Sequence, residues 1–407
     1  MTNSTPNDYH DFHRRMKDAV AALPASTSTD PIAVSTRHTL ITAFRNLGDL
    51  ETAEALMSQI LALDPSHAGA LLGQIDNALR RGDQDAAISF CDTARSEHPE
   101  NVLVRRKHAQ VLQIAGRTTE ALTVLEDLNR DKPGDAPACL AMANLKRKLG
   151  DLDGAEAAMA QILEHDPGHE GALLAQIDTA VQRGDHEAAL ILCNAARKQH
   201  ADSVILKRKH AQVLQTTGKM DEALAVLEDL IRDKPDDAPA CLAMANIKRR
   251  LRDLDGADAA VAQILEHDPG HEGALLAQID TALRKGDHNT AFALCDDVLS
   301  KHPESLASRR KHAQVLQSAG KIQEALTVLE SLIRKTPNDA ATCLALAGVK
   351  HKLGDLDAAE TLYTQVLKDN PENWPALNSL AKIAESRGDL ERAIALLETG
   401  SNPASVR

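Results

Sequence analysis

Residues 204–237 read VILKRKHAQVLQTTGKMDEALAVLEDLIRDKPDD, and near copies of this 34-residue stretch fill the chain from Val34 to Arg407. Every third copy is almost identical, so a second period of 102 residues lies on top of the first: the string RKHAQVLQ begins at Arg106, Arg208 and Arg310. Self-similarity of this kind predicts an array in which each unit buries its apolar face only against its neighbours. The two periods therefore favour binding over catalysis.

Each unit is predicted to be a helix, a turn and a second helix. Gly218 divides the quoted stretch, and a glycine there can adopt the left-handed backbone conformation that ends a helix. Pro235 closes the second segment, and the small residues Ala211 and Ala223 let the two helices approach closely. The apolar positions of the second segment follow helical spacing, at Ala223, Leu224, Leu227, Leu230 and Ile231.

The same frame recurs along the chain with two departures. Arg252 replaces the turn glycine of the seventh unit, and Ala201 replaces the terminal proline of the fifth. An aspartate often follows the turn, where it is predicted to cap the next helix. These aspartates are Asp49, Asp83, Asp151, Asp185, Asp287, Asp355 and Asp389.

The unit length, the turn glycine, the small residues in both helices and the terminal proline resemble the tetratricopeptide repeat family. The resemblance implies an all-α fold, a right-handed α-solenoid (superhelix) of helix-turn-helix units. Residues 1–33 are predicted to form an N-terminal capping helix, within Asp8–Leu23, and a linker. The eleven predicted units are 34–67, 68–101, 102–135, 136–169, 170–203, 204–237, 238–271, 272–305, 306–339, 340–373 and 374–407.

Composition excludes some classes of partner and indicates the cellular compartment. The net charge of −13 argues against nonspecific coating of nucleic acid or anionic membrane. No apolar run approaches the roughly 20 residues that span a bilayer, and no signal-type stretch begins the chain. The six cysteines contain no CxxC pair, which favours reduced thiols in helix cores. We therefore expect a cytoplasmic protein.

The resemblance implies that first helices line a concave groove where partners bind. Basic clusters recur there, at Arg105–His108, Lys207–His210 and Arg309–His312, and at Lys146–Lys148, Lys248–Arg250 and Lys350–Lys352. Amides at the family's groove-facing position could bond the backbone of an extended peptide. The predicted groove residues are Arg106, Gln110, Asn144, Arg147, Lys148, Arg208, Gln212, Asn246, Arg249, Arg310 and Gln314.

Two interpretations of the basic clusters stay open. In the first, the cations select acidic segments or carboxylates; Arg106, Gln110 and Asn144 resemble the carboxylate-clamp type of site in part, although Asp178 follows one unit later. In the second, the cations pair with acids on the preceding first helix and fix the register of the units. The acids are Asp76, Asp178 and Asp280.

Histidines are predicted to be structural, and no catalytic, cofactor or metal site is predicted. His108, His210 and His312 lie three units apart, too distant to share a metal, and are expected to be partly buried. His165 and His169 flank Asp166, but the first copy of that turn has Leu63, so a metal site is disfavoured. No nucleotide, nucleophile-elbow or zincin motif occurs.

The sequence therefore predicts a non-catalytic protein–protein interaction scaffold that binds peptide or protein segments, acidic or extended, in its groove. One alternative is the solenoid portion, or an accessory subunit, of a transferase that modifies proteins or sugars. It rests on the last unit, which ends in GSNPASVR with no further amphipathic helix. Self-association through that uncapped end is the other alternative.

Overall fold

The described part of the chain consists of short helices joined by tight turns. The computed structural model describes Lys17 and residues 31–401, and residues 31–401 form twenty-two α-helices and contain no β-strand. In order, the helices are α1 Pro31–Asn46, α2 Leu50–Leu63, α3 Ala68–Arg81, α4 Gln84–Glu97, α5 Val102–Ile114, α6 Thr118–Asp131, α7 Ala136–Lys148, α8 Leu152–His165, α9 Glu170–Arg183, α10 His186–Gln199, α11 Val204–Thr216, α12 Met220–Asp233, α13 Ala238–Arg250, α14 Leu254–His267, α15 Glu272–Lys285, α16 His288–Lys301, α17 Leu306–Ser318, α18 Ile322–Lys335, α19 Ala340–Lys352, α20 Leu356–Asp369, α21 Trp374–Ser386 and α22 Leu390–Ser401.

The helices alternate as first and second members of pairs. Odd-numbered helices are first helices and even-numbered helices are second helices. The predicted aspartate caps are confirmed: the Asp49 carboxylate, for example, accepts the backbone N–H of Thr52 at 3.0 Å and so satisfies a donor that α2 leaves free. Three second helices begin without a side-chain cap, after Arg117, Lys219 and Lys321, which occupy equivalent positions.

The turn between the members of a pair requires a left-handed residue. Gly218 has a φ of 77°, and the glycines at the equivalent turns have similar values. Arg252 takes the same conformation, with a φ of 64°, and is the only non-glycine residue of the described chain with a positive φ. An L side chain is disfavoured there because its Cβ lies close to the following carbonyl oxygen. The seventh unit therefore keeps the turn geometry in spite of the unfavourable residue.

The core is built from small aliphatic side chains, as the sequence predicts. Ala223, Leu227 and Leu230 of α12 are fully buried against Cys241 and Val261 of the next pair. Burial of apolar surface contributes about 25 cal/mol per Å², so many short side chains together supply the stability of the array. All six cysteines are buried and unpaired, which confirms their prediction as core thiols.

The described residues divide into two bodies, one ending at Ala175 and the other beginning at Gln176. Within each body, a second helix packs against the first helix of its own pair and the first helix of the following pair. First helices of neighbouring pairs also touch, as α3 with α5 in one body and α13 with α15 in the other. This packing brings polar residues of successive first helices next to each other.

The predicted N-terminal capping helix lies outside the described residues except for Lys17, whose Nζ atom lies 3.1 Å from the Asp49 carboxylate. Residues 402–407 of the last predicted unit also lie outside them. No helix within the described residues has the length and apolarity needed to cross a membrane.

Candidate binding surface on the first helices

The predicted groove residues lie on first helices, but they differ in exposure. The amides Gln110, Asn144, Gln212, Asn246 and Gln314 are exposed, and we call these five residues the amide row. Lys148 is also exposed. Arg106, Arg147, Arg208 and Arg310 are half-buried, whereas Arg249 is buried. Exposure therefore separates the amides, which face solvent, from most of the arginines.

A lysine on one first helix pairs with an aspartate on the preceding one in all three copies. The distances are 2.9 Å for Lys107 and Asp76, 2.8 Å for Lys209 and Asp178, and 2.7 Å for Lys311 and Asp280. This is the register-fixing arrangement that the sequence offered as the second interpretation. Half-exposed pairs of this kind contribute about 0–1 kcal/mol each.

Asp76 makes a second ion pair, because Arg45 of α1 lies 2.8 Å from its other oxygen. Burial raises the pKa of the Asp76 carboxyl, but hydrogen bonds from Lys107 and Arg45 outweigh that effect and hold the pKa below its usual value. The carboxylate thus stays ionised and keeps both cations in place at neutral pH.

The same lysines orient the amide row. Lys107 donates to Gln110 Oε1 at 2.9 Å, and Lys209 and Lys311 donate to Gln212 and Gln314 at 3.0 Å. An ammonium group can only donate, so each amide must turn its carbonyl oxygen towards the lysine and its NH2 group away.

Arginines orient the two asparagines in the same manner. Arg147 donates to the carbonyl oxygen of Asn144, and Arg249 donates to that of Asn246. Within the described residues, the NH2 groups of the amide row donate to no protein acceptor. The row therefore presents hydrogen-bond donors to solvent.

The arginine four residues before each glutamine is held differently in the three copies. Arg106 lies 3.6 Å from Asp135 and Arg208 lies 4.0 Å from Asp237, both beyond hydrogen-bond distance. Arg310 instead lies 2.6 Å from Asp339 and also reaches the hydroxyl of Thr342. The first two guanidinium groups consequently keep donors for a ligand, and the third is engaged within the chain.

Arg249 is not on the open surface, where the sequence predicted it. Its guanidinium donates to the carbonyl oxygen of Ala277 at 2.8 Å, to Thr281 and to Asn246. Ala277 has no side chain beyond Cβ, so the guanidinium can reach the backbone of α15. Desolvation lowers the pKa of Arg249, which fits a charge removed from water.

Two other cations of the basic clusters point into the body of the helix array. Arg105 lies 2.6 Å from Asp131, and Lys207 lies 2.8 Å from Asp233 and 3.0 Å from Asp229, all on second helices. Both cations are almost fully buried. The third copy supplies the sequence signal for this pairing: Lys335 replaces the aspartate there, and Arg309 donates instead to the carbonyl oxygen of Pro303.

The histidines of the basic clusters, His108, His210 and His312, are buried or half-buried, as predicted. His108 and His210 are buried, and Arg197 donates to His210 Nδ1 at 3.0 Å. Burial lowers the pKa of His210 to about 4, so the ring is neutral and can accept that bond. In the predicted turn, His169 Nδ1 accepts the N–H of Ala172. Within the described residues, no group of three or more histidine, cysteine or acidic side chains could hold a metal ion.

An apolar depression lies beside Gln110 and was not predicted. It has a volume of about 370 Å³ and is lined by Leu103, Arg106, Gln110, Leu125, Pro137 and Ala141. Leu103 is 56% exposed, a large fraction for a leucine, and Ile205 at the equivalent position is 53% exposed. The exposed aliphatic residue at the second position of the first helix was the available sequence signal.

Family comparisons match most of the chain. Two models, each described as "Tetratricopeptide repeat", match residues 38–102 and residues 112–169, 146–213 and 214–279. A model described as "Psidin, N-terminal TPR repeats region" matches residues 275–383.

Curated relatives share the repeats over part of their length. The tetratricopeptide repeat and J domain-containing co-chaperone DNJ1 of Fusarium oxysporum f. sp. lycopersici is 30% identical over 219 residues, 51% of this chain and 41% of the relative. Cellulose synthase operon protein C of Xanthomonas axonopodis pv. citri is 27% identical over 230 residues, 51% of this chain and 15% of the relative. This chain thus spans less than half the length of both relatives.

The solved structure of yeast Tom70 shares the fold. Its TM-score to this chain is 0.54 at 15% sequence identity, and the match covers 97% of this chain and 88% of Tom70. An all-α array of stacked helix pairs is therefore common to the two proteins.

Proposed function

Because this chain belongs to the tetratricopeptide repeat family, we propose that it is a non-catalytic scaffold that holds extended protein segments on its first helices. Proteins built from these repeats generally act by binding other proteins. The named relatives include a co-chaperone, which is consistent with a role among protein partners. A cytoplasmic location forms part of the proposal, because six unpaired thiols suit a reducing compartment.

The amide row is the observation that carries the proposal. Its carbonyl oxygens are taken by Lys107, Lys209, Lys311, Arg147 and Arg249, so its NH2 groups remain as donors. An extended polypeptide presents a backbone carbonyl oxygen at every residue and can supply acceptors to the two amides of the body that ends at Ala175 or to the three amides of the body that begins at Gln176. Extended segments, held through their backbones, are accordingly the ligands we propose.

The positive charge of the groove that is available to a ligand is smaller than the number of its lysines and arginines indicates. Asp76, Asp178 and Asp280 neutralise one lysine each, and Arg249 is buried. Acidic ligands are then attracted chiefly by Arg106, Arg208 and the exposed Lys148. Hydrogen bonding by amides supplies contacts that do not depend on salt, and the arginines add a salt-dependent share.

The test is selection of peptides from a displayed library of random dodecamers on the full chain, followed by calorimetric measurement of their affinity. The triple variant Q110E/Q212E/Q314E replaces three NH2 donors by oxygen while keeping the bonds from the lysines. We expect at least a tenfold loss of affinity, because each bound segment loses a hydrogen bond worth about 0.5–1.5 kcal/mol and meets a carboxylate opposite its own carbonyl oxygen, which leaves that acceptor unsatisfied.

Two exposed glutamines on second helices give a matched control. The variant Q84E/Q323E makes the same isosteric change away from the first helices and should alter affinity by less than twofold. If no peptide is selected, or if both variants bind as well as the parent chain, the proposal is wrong.

A second candidate function is membership in a larger assembly, as the accessory or solenoid portion of a transferase. The matches to cellulose synthase operon protein C, of which this region covers 15–18%, favour it. Mass photometry of the full chain with partners from its own operon or transcript neighbourhood would reveal such a complex. Absence of any stable complex would count against this candidate and leave the scaffold proposal intact.

A further inference from the structure

We infer that the depression at Leu103 and the equivalent exposed surface at Ile205 are two subsites, each of which takes a large aliphatic side chain placed beside a carboxylate in an extended segment. This inference rests on the proposed function and adds the chemical class of the ligand. It comes from a comparison of the three copies of one surface, which differ in just the residues that would contact such a ligand.

The depression has the size and chemistry for one large aliphatic side chain. Its volume of about 370 Å³ exceeds that of a leucine side chain, and Leu103, Pro137 and Ala141 form apolar walls. Leu103 leaves more than half of its surface open to solvent, so a ligand methyl group placed there buries apolar area from both partners. A contact of this kind is the hydrophobic part of a binding site.

Polar groups at the rim determine what must flank that side chain. Leu103, Arg106 and Gln110 follow one another at helical spacings of three and four residues and so share one stripe of α5. The Gln110 NH2 group donates outwards because Lys107 holds its oxygen. Arg106 lies 3.6 Å from Asp135, so its guanidinium keeps donors for a second acceptor. A backbone carbonyl opposite Gln110 and a carboxylate opposite Arg106 satisfy both groups.

The second copy repeats the residues of the first and the exposure of its aliphatic side chain. Ile205, Pro239 and Ala243 replace Leu103, Pro137 and Ala141, and Lys209 again orients Gln212. Arg208 is held even more loosely than Arg106, at 4.0 Å from Asp237. This copy lies in the body that begins at Gln176, so the two subsites belong to separate bodies.

The third copy has lost the same features together. Ala307 and Ala341 stand where the other copies have a large aliphatic residue and a proline, so the apolar walls are missing. Arg310 is engaged by Asp339 at 2.6 Å and is not open to a ligand carboxylate. Gln314 keeps its donor. The third copy can therefore hold a backbone but not an aliphatic side chain beside a carboxylate.

The experiment uses the full chain and the dodecamers selected from the displayed random library. We expect the selected peptides to carry leucine, isoleucine, methionine or phenylalanine within two residues of aspartate or glutamate. Titration calorimetry should give two peptides per chain for the parent, one for L103D and none for L103D/I205D. Replacing the acidic residue of the peptide by its amide should weaken binding at least fivefold.

The control variant A307D places the same charge at the equivalent position of the third copy and should leave two peptides per chain. Helicity and the melting temperature verify that each variant is folded, and L103A, which adds no charge, should weaken the first subsite at least threefold. The inference is overturned if L103D/I205D binds like the parent, or if A307D removes a subsite as L103D does. In that case Q110E/Q212E/Q314E still decides the proposed function, because it removes backbone contacts and leaves the apolar walls intact.

Discussion

The Nζ atom of Lys209 lies 2.8 Å from the Asp178 carboxylate on the preceding first helix, and the same ammonium donates to the carbonyl oxygen of Gln212. One cation therefore links two repeats and orients an amide. Copies of this arrangement at Lys107 and Lys311 show that the two interpretations of the basic clusters are compatible. The charges are used within the chain, and the amides that they orient face the solvent.

Arg252 gives a prediction about the stability of the seventh unit. Arg252→Gly should raise the free energy of local unfolding by about 1 kcal/mol. The left-handed conformation costs an L residue roughly 1–2 kcal/mol, and glycine removes this cost. Part of the gain is lost because glycine has more conformational freedom in the unfolded chain. Hydrogen exchange of α13 and α14 should slow about fivefold.

Gly354 occupies the equivalent turn with a φ of 82° and has open space around it. Gly354→Arg should therefore produce the opposite effect, faster exchange in α19 and α20. Unchanged exchange in both variants would contradict the strain that we assign to Arg252.

Most of the fold could be predicted from the repeat alone, because the turn glycines, capping aspartates and aliphatic spacing act within one unit. Helix α12, for example, follows from Gly218 and the spacing of Leu227 and Leu230. The site was less predictable, since exposure depends on the neighbouring helix. Arg147 and Arg249 look alike in sequence, yet Arg249 inserts against Ala277 and is buried.

The paired lysines could be anticipated because Asp178 precedes the Lys207–Lys209 cluster by about one unit and neighbouring first helices were expected to run roughly parallel. The depression at Leu103 could not, because its walls come from α5, α6 and α7. A contact surface made by three helices has no signature in the spacing of any one of them. The structure was needed to bring Pro137 next to Leu103.

Because His210 is buried as a neutral ring, we expect the chain to lose stability in mild acid. Its pKa falls from 6.5 to about 4 because burial, and then the charge of Arg197, disfavour the protonated ring. Between these pH values the unfolded chain binds a proton that the folded chain does not, so the free energy of unfolding falls as the pH drops from 6.5 towards 4. The loss from this residue is at most about 3.5 kcal/mol, since one pKa unit corresponds to about 1.4 kcal/mol.

The measurement is a series of urea unfolding curves from pH 7 to pH 4 for the parent chain and for His210→Leu. The free energy of unfolding of the variant should decline less steeply as the pH falls, because leucine does not titrate. A smaller decline should remain, because burial also lowers the pKa values of His108 and His312. Equal slopes for the two proteins would rule out the role that we give to His210.

The pairing of the buried Lys207 with Asp233 can be tested by two opposite charge changes. Asp233→Lys should destabilise the chain by about 1–3 kcal/mol, because it removes a hydrogen-bonded carboxylate from Lys207 and adds a like charge. Lys335 stands at the position equivalent to Asp233, and Arg309 at the position equivalent to Lys207. Lys335→Asp should therefore stabilise the chain by up to about 1 kcal/mol. Thermal unfolding of both variants at low and high salt provides the test, and a shift of the same sign in the two variants would contradict the pairing.

Variants of Arg249 test whether this basic residue of a first helix belongs to the ligand site or to the packing between repeats. Arg249→Met keeps an unbranched side chain of similar reach and removes a buried charge, so we expect stability within about 1 kcal/mol of the parent. Arg249→Glu should cost about 3–5 kcal/mol, because a carboxylate would be buried against the carbonyl oxygen of Ala277.

The neighbouring Arg250 is exposed on the same helix and supplies the control. Arg250→Glu should change the free energy of unfolding by less than about 0.5 kcal/mol, as surface substitutions usually do. Affinity for the selected dodecamers should fall by less than about tenfold in Arg249→Met, because the guanidinium contacts α15 and reaches the ligand surface only through Asn246, whose orientation is worth at most one hydrogen bond. A large loss of affinity in that folded variant would return Arg249 to the ligand site and show that α13 rearranges when a segment binds.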